Sequence, residues 1–172
     1  AEIGPPKGTR VEPILDEAEK SLKGRVAAVN VTELQTAVMR VGSLALSRLL
    51  ANRGIEPVYQ VVCRDRNRLA LQSDLLSAAV FGIENVLMVT GDYVTMGDHP
   101  EARPVYDLDS VGLLQAAAKL EAAYYDTFYS AKTGVLAGWI SQDGEMHDYV
   151  FPFVNGLACA FGLVPTEKGR EI

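Results

Sequence analysis

The sequence predicts an α/β protein with parallel strands, and three observations support this fold class. Short apolar runs, typical of strands that are buried on both faces, begin at Val26, Val58 and Val86. Their spacing of roughly 30 residues is the length of one strand–helix unit, and a helical apolar pattern follows each run. The composition, with 48% hydrophobic and 22% charged residues in a chain of 172, is that of a folded domain. Such a repeat requires parallel strands joined by right-handed crossovers.

The first helix is predicted by a capping-box pattern over residues 9–12 and by apolar residues that share one helical face. The residues of that face are Val11, Leu15, Ala18 and Leu22. Gly24 ends this helix, and residues 26–31 form the strand that follows. A strand stub at the very start of the chain precedes the helix.

The second helix is predicted from another capping-box pattern, over residues 32–35. Its apolar face is formed by Leu34, Val38, Val41, Ala45 and Leu49. Gly54 stands where the glycine after a helix end belongs. Pro57 then opens a strand over residues 58–63.

The third helix is predicted over residues 66–81, with Gly82 closing it. One side of this helix is formed by Leu69, Gln72, Leu76 and Ala79. A strand over residues 85–90 and a loop over 91–104, rich in Gly, Asp and Pro, come next. Asp109 or Ser110 caps a fourth helix that ends near Ala123.

Two closed architectures compete for such a repeat. A doubly wound dinucleotide fold would carry G-x-G-x-x-G after its first strand, and this sequence has none. A (β/α)8 barrel fits the spacing but needs about 250 residues. We therefore expect the N-terminal half of a barrel, about four parallel βα units, over residues 1–118. Residues 119–172 form an appended aromatic-rich segment of uncertain fold.

Charge and patterning exclude several functional classes. The net charge of −6 and the pI of about 4.9 disfavour nucleic-acid binding, which needs clustered Lys and Arg. The sequence contains no apolar run of about 18 residues, so no membrane span is predicted. The absence of a signal-peptide pattern and of a cysteine motif predicts a cytoplasmic location. The two histidines lack partners at metal-ligand spacing, so no metal site is predicted.

Polar residues occur at the predicted carboxyl ends of all four strands, where an α/β barrel builds its active site. They are Glu2, Asn30, Gln60 and Asp92. Taken singly, each has a structural explanation as a terminal charge, a backbone cap or a turn residue. A carboxylate that is partly desolvated at a barrel mouth can act as a general acid. Because Asp92 follows Gly91, a flat ligand could approach the backbone there closely.

Seven motifs in order resemble the methylenetetrahydrofolate reductase family. They are EIGPPKG (2–8), VNVT (29–32), QTAVMR (35–40), CRDRNR (63–68), TGD (90–92), GDHP (97–100) and YDLDSV (106–111). The resemblance extends from residue 1 to about 115. It implies a flavin-containing barrel that reduces 5,10-methylenetetrahydrofolate to 5-methyltetrahydrofolate, with hydride passing from a nicotinamide cofactor, NADH or NADPH, to FAD and then to the folate.

The resemblance also implies roles for individual residues. Glu2 matches the family's catalytic acid, and Asp92 matches the carboxylate beside the flavin. Asn30 and Gln60 fall where family members contact the flavin. Other positions fall in segments that line the FAD site, namely Gly91, Tyr106 and Asp107. The basic run at 64–68 could grip a phosphate of FAD or form local ion pairs at a helix entry.

Two alternatives remain open from the sequence. Half a barrel leaves open sheet edges, so the chain could be a truncated or inactive piece of such an enzyme, or a non-catalytic subunit or fragment that completes a barrel. A homo-oligomer or a partner chain is expected to cover those edges. Short motifs between residues 137 and 165 resemble bacterial (α/α)6 glycosidases of the glycogen-debranching type. That second resemblance implies a carbohydrate-active role for the tail.

Overall fold

Four parallel strands form one sheet in a computed structural model, which describes residues 1–130, 132–133, 135–136, 139–140 and 146–147. The strands are β1 (Glu2–Ile3), β2 (Val29–Val31), β3 (Pro57–Val62) and β4 (Asn85–Val89), and their order in the sheet follows their order in the chain. In the register, Asn30 lies opposite Glu2 and Val58, and Gln60 lies opposite Leu87. This arrangement confirms the predicted α/β class and corresponds to half of a (β/α)8 barrel.

Four helices connect and follow these strands. They are α1 (Glu12–Ser21), α2 (Ser43–Asn52), α3 (Arg68–Val80) and α4 (Ser110–Phe128). Single 3₁₀ turns lie at Gln35–Ala37, after β2, and at Val94–Met96, after β4. Gly54 and Gly82 follow α2 and α3 with left-handed backbone angles, as expected for glycines after helix ends.

The hydrophobic core lies between the sheet and the helices, in two clusters. The first joins β2 to α1 and α2 through Val29, Val31, Leu15 and Leu46. The second joins β3 to α3 and α4 and contains Tyr59, Val61, Cys63, Leu71, Ala78 and Leu113. Alternate residues of a strand point to opposite faces. The odd-numbered residues of β2 and β3 therefore face the helices, which leaves Asn30 and Gln60 on the other face.

The two predicted capping boxes are wrong. Helix α1 begins after Val11, which makes no side-chain cap, so Thr9 has no capping role. Helix α2 begins at residue 43, because Leu34, Thr36 and Ala37 adopt left-handed backbone angles that no α-helix contains. The predicted strand over 26–31 is also shorter, since only residues 29–31 pair with neighbours.

The buried side of α3 differs from the predicted side. Leu69 is 78% exposed and Leu76 is 40% exposed, whereas Leu71 and Ala78 are buried and Leu75 packs against them. This helix carries apolar residues on most of its circumference, so periodicity alone could not select the face that meets β3.

The chain divides into two compact units, residues 1–115 and 116–172. In the second unit, two antiparallel pairs of two-residue strands are described: β5 (Tyr129–Ser130) with β6 (Val135–Leu136), and β7 (Trp139–Ile140) with β8 (Met146–His147). Most of the predicted glycosidase-like segment lies outside the described residues. Within the described ranges, no helix is long and apolar enough to cross a membrane.

Candidate functional site

A row of three hydrogen-bonded side chains crosses the carboxyl ends of the first three strands. The amide Nδ2 of Asn30 donates to Glu2 Oε2 at 2.9 Å and to Gln60 Oε1 at 3.1 Å. The parallel register explains the row, because it brings residues of the same face to the same edge of the sheet. The structure thus brings together three of the four strand-end residues in direct contact.

Glu2 sits on an exposed edge strand. The turn that follows it is fixed by Arg40 Nη1, which donates to the carbonyl of Pro5 at 2.9 Å, and by the Val41 amide, which donates to the carbonyl of Pro6 at 3.0 Å. The Glu2 side chain itself is exposed. The expected partial desolvation of this carboxylate is therefore wrong, because β1 has only β2 as a neighbour in the described sheet.

Gly91 and Asp92 follow β4 in a tight approach to β3. Gly91 has φ of +103°, and a Cβ there would collide with Val62 Cγ2 and lie 3.0 Å from Arg64 Cβ. The Tyr106 hydroxyl donates to the carbonyls of Gly91 at 3.3 Å and of Asp92 at 3.1 Å. Arg64 Nη1 also donates to the Asp92 carbonyl, at 3.2 Å. Only glycine combines this backbone angle with this packing.

The Asp92 carboxylate accepts a backbone hydrogen bond from the segment that follows β2. The Thr36 amide donates to Asp92 Oδ2 at 3.0 Å. A cavity of about 290 Å³ lies beside this contact, and Gln60 and Asp92 are among the residues that line it. Glu2 does not line this cavity. It is connected to the cavity through Asn30, which contacts both Glu2 and the lining residue Gln60.

Tyr106 and Asp107 are placed differently from each other. Tyr106 contacts the Gly91–Asp92 backbone, as described above. Asp107 Oδ2 accepts from the Arg68 amide at 2.7 Å, at the N-terminus of α3, where Asn67 Oδ1 also accepts from the Ala70 amide at 3.0 Å. Asp107 thereby caps helix α3, and it does not line the cavity beside Asp92.

A buried charge network that the sequence reading missed lies beneath the cavity. Glu33 is buried and lines the cavity; its Oε1 is 2.7 Å from Arg66 Nη2, and its Oε2 accepts from the Ser43 amide at 2.6 Å. Arg66 Nε also lies 2.9 Å from Asp74 Oδ2. Glu33 therefore caps α2, but from ten positions upstream. Its place next to Thr32 suggested a local capping box, which concealed this longer-range role.

The electrostatics of this network follow from burial and pairing. Burial works to lower the pKa of Arg66, but the hydrogen bond and charge of Glu33, together with the charges of Tyr59 and Asp74, outweigh it and raise that pKa. Burial raises the pKa of Asp74, and the positive charge of Arg66 opposes the rise only in part. Nearby, Arg64 is 2% exposed and its guanidinium pairs with Asp65 at 2.6 Å. The basic run at 64–68 thus makes ion pairs, and two of them are largely buried.

The described side chains contain no group of three His, Cys, Asp or Glu residues that could hold a metal ion. At this edge of the sheet, the amide of Gln60, the carboxylate of Asp92 and the bare backbone of Gly91 adjoin one cavity, and Asn30 contacts Gln60 from the neighbouring strand. The parallel strands follow one another in chain order, and their polar cluster lies at the carboxyl ends, which is the arrangement of half a (β/α)8 barrel.

The family model described as Methylenetetrahydrofolate reductase matches residues 1–129. Because the match covers most of the chain, the protein belongs to the methylenetetrahydrofolate reductase family, an oxidoreductase family. The resemblance drawn from the seven motifs is thus confirmed, and the match extends beyond residue 115. No curated protein matches the chain.

Proposed function

We propose that this chain carries the flavin and folate site of a methylenetetrahydrofolate reductase-like enzyme, which uses a nicotinamide cofactor, NADH or NADPH, as reductant. One observation supports this proposal above the others: the hydrogen-bonded row Glu2–Asn30–Gln60 leads to the cavity that Asp92 lines. The row has the acid Glu2 at one end and the Gln60 amide at the other, and Gln60 shares the cavity with the Asp92 carboxylate. Hydride chemistry would come from FAD when it is bound.

The residues present fit a flat heterocycle. Asn30 Oδ1 is buried and has no hydrogen-bond partner among the described residues, so an acceptor stands ready for a ring N–H group. Gly91 removes a side chain where a ring plane would meet the backbone. The cavity of about 290 Å³ is at the lower limit of ligand pockets, so it fits the ring system rather than a whole dinucleotide.

The proposed roles follow from these placements. Glu2 is the proton donor to the folate, and Asn30 fixes the orientation of its carboxyl group. Asp92 lies beside the ring system, where a negative charge affects how readily electrons leave or enter. Asn30, Gln60, Gly91 and Tyr106 form the ring-binding surface. Asp107 is proposed to contact the cofactor as well, in addition to its observed hydrogen bond with the first residue of α3.

The open sheet supports the proposal of a homo-oligomer or a partner chain. In the described sheet, β1 and β4 each have one neighbour, and Leu87 on β4 is 42% exposed. An edge strand with exposed apolar residues favours pairing with another chain. A barrel-completing, non-catalytic subunit is therefore the second candidate.

The domain division at residue 118, the role of the tail and a cytoplasmic location remain predictions.

The proposal is tested by absorption spectroscopy and by the two half-reactions. Purified protein with added FAD is expected to show flavin bands after gel filtration. Glu2→Gln should abolish folate reduction while reduction of the flavin by the nicotinamide cofactor continues, because only the folate step needs the proton. Glu84→Gln, an exposed acid at the opposite end of the sheet, is the matched control.

Two results would contradict the proposal. Protein that stays colourless after FAD addition lacks the cofactor site and favours the barrel-completing subunit. Equal loss of both half-reactions in Glu2→Gln would remove the acid role from Glu2, because a proton donor to folate has no part in flavin reduction.

A further inference from the structure

The segment after β2 holds an unfavourable backbone conformation. Leu34, Thr36 and Ala37 have φ of +42°, +55° and +57°. Residues other than glycine rarely adopt such angles, and a β-branched residue such as Thr36 is a clear outlier. Such strained angles persist only where the surrounding structure fixes the segment.

The loop after β4 provides two of the contacts that fix it. The Thr36 amide donates to Asp92 Oδ2, and the Met39 amide donates to Asp98 Oδ1, both at 3.0 Å. Between these two bonds, Gly97 packs so closely on Ala37 that a Cβ there would collide with the Ala37 carbonyl. Two carboxylates six residues apart thus hold two amides three residues apart.

The Asp92 side chain depends on this arrangement. Its own backbone is fixed by Arg64 and Tyr106, which both donate to its carbonyl. Its carboxylate has one hydrogen-bond donor among the described residues, the Thr36 amide. The direction of that carboxylate is therefore set by the position of the Thr36 amide, and that amide is held in place from the Met39 side.

We propose that Asp98 is a positioning residue for the Asp92 site. It holds Met39, keeps the left-handed backbone angles within segment 34–39 in place, and so presents the Thr36 amide to Asp92. Asp98 does not line the cavity beside Asp92, so its effect passes through the segment. Its place in catalysis rests on the function proposed above, whereas its effect on Thr36 is independent of any cofactor.

The orientation of Asp98 is supported from its other neighbour. His99 Nδ1 lies 2.9 Å from the same Oδ1 that accepts the Met39 amide. These two contacts, the histidine first, lower the pKa of Asp98 below its ordinary value. Asp98 therefore stays an acceptor for Met39 at neutral pH.

A double-mutant cycle on the Thr36 amide tests the coupling. Its hydrogen-exchange rate is measured by NMR in the full chain, in Asp98→Ala, in Asp92→Ala and in the double variant. We expect each single change to speed exchange by about tenfold, the effect of one hydrogen bond. The double variant should also reach about tenfold, because Asp92 loses its bond once the segment has moved.

Controls separate positioning from general loosening. Asp98→Asn keeps an acceptor oxygen and should leave exchange within about threefold of the parent. Glu101→Ala, an exposed acid in the same loop, should change nothing. The Leu71 amide in α3 reports global opening and should keep its rate in every variant. Exchange at Thr36 that is unchanged in Asp98→Ala, or about a hundredfold faster in the double variant, overturns the proposal.

The functional effect has its own measurement. The FAD dissociation constant should rise by about tenfold in Asp98→Ala and stay within threefold in Asp98→Asn and Glu101→Ala. An unchanged FAD affinity in Asp98→Ala, despite faster Thr36 exchange, would overturn the role at the site. If the parent chain binds no FAD, the proposed function fails, and the exchange cycle still decides whether Asp98 positions Asp92.

Discussion

The two faces of the four-stranded sheet are built by different means. The helix-facing side is packed with apolar residues, and Val29, Val31 and Val61 are completely buried. The other side carries Asn30 and Gln60 in a hydrogen-bonded row, and Leu87 is partly exposed there. Packing holds the first face, while directed hydrogen bonds order the second.

This difference assigns separate tasks to the two faces. Burial of apolar area is non-directional, and its main effect is to stabilise the fold. Hydrogen bonds and a backbone angle restricted to glycine fix positions at the carboxyl-end edge, where the proposed chemistry requires accurate placement. We therefore expect substitutions on the helix side to change stability and substitutions at the edge to change the site.

The largest effect is expected on the helix-facing side. Leu71→Ala should lower the free energy of unfolding by about 2–5 kcal/mol, because the residue is fully buried and its loss leaves a cavity. Leu69→Ala on the same helix is the matched control, since its side chain is 78% exposed and it should change stability by less than about 0.5 kcal/mol. Urea unfolding measures both.

Equal losses in these two variants would contradict the assignment of the buried face of α3. That assignment reverses the face predicted from the sequence, so the pair tests the structure directly at a point where periodicity failed.

A smaller effect is expected at the edge, from Gly91→Ala. The new Cβ would meet Val62 Cγ2 at a backbone angle that alanine disfavours, and we expect a loss of roughly 1–3 kcal/mol. The shift should also move Asp92, so FAD affinity should fall further than stability predicts. Gly8→Ala is the control, because nothing lies within 4 Å of its Cβ position. Unchanged FAD affinity in Gly91→Ala would show that this turn takes no part in the proposed cofactor site.

The segments after β2 and β3 show how far the sequence could predict this edge. After β3, Asn67 caps α3 with a bond to an amide three residues away, which is a local signal, and the predicted helix is confirmed. After β2, the same kind of signal at residues 32–35 predicted the start of a helix and was wrong, because α2 begins only at residue 43. There Glu33 caps α2 from a distance and pairs with Arg66, and both contacts require the folded sheet.

The same distinction applies to the site. The strand-end positions of Asn30 and Gln60 could be predicted, because parallel strands bring equivalent positions to one edge. The hydrogen bond from the Thr36 amide to Asp92 could not be predicted, because it needs left-handed backbone angles at residues that normally avoid them. The exposure of Glu2 also could not be predicted from the sequence, because a barrel pattern predicts opposing strands that the described sheet does not contain.

The smallest expected effect distinguishes two roles for Asp107. Asn67 and Asp107 each accept one amide at the N-terminus of α3, from Ala70 and Arg68 respectively. Removal of either acceptor, by Asn67→Ala or Asp107→Ala, should cost about 1 kcal/mol of stability in urea unfolding, the usual value of a helix cap. Asn67→Ser should restore its share, because serine also caps.

Cofactor affinity then separates the two residues. If Asp107 also contacts the flavin cofactor, as the family resemblance implies, Asp107→Ala should weaken FAD binding clearly more than Asn67→Ala does, although the two variants lose the same stability. Equal FAD affinities in the two variants would leave Asp107 with the capping role alone. The helix N-terminus would then explain this acidic residue completely, because a carboxylate there satisfies a free amide and interacts favourably with the helix dipole.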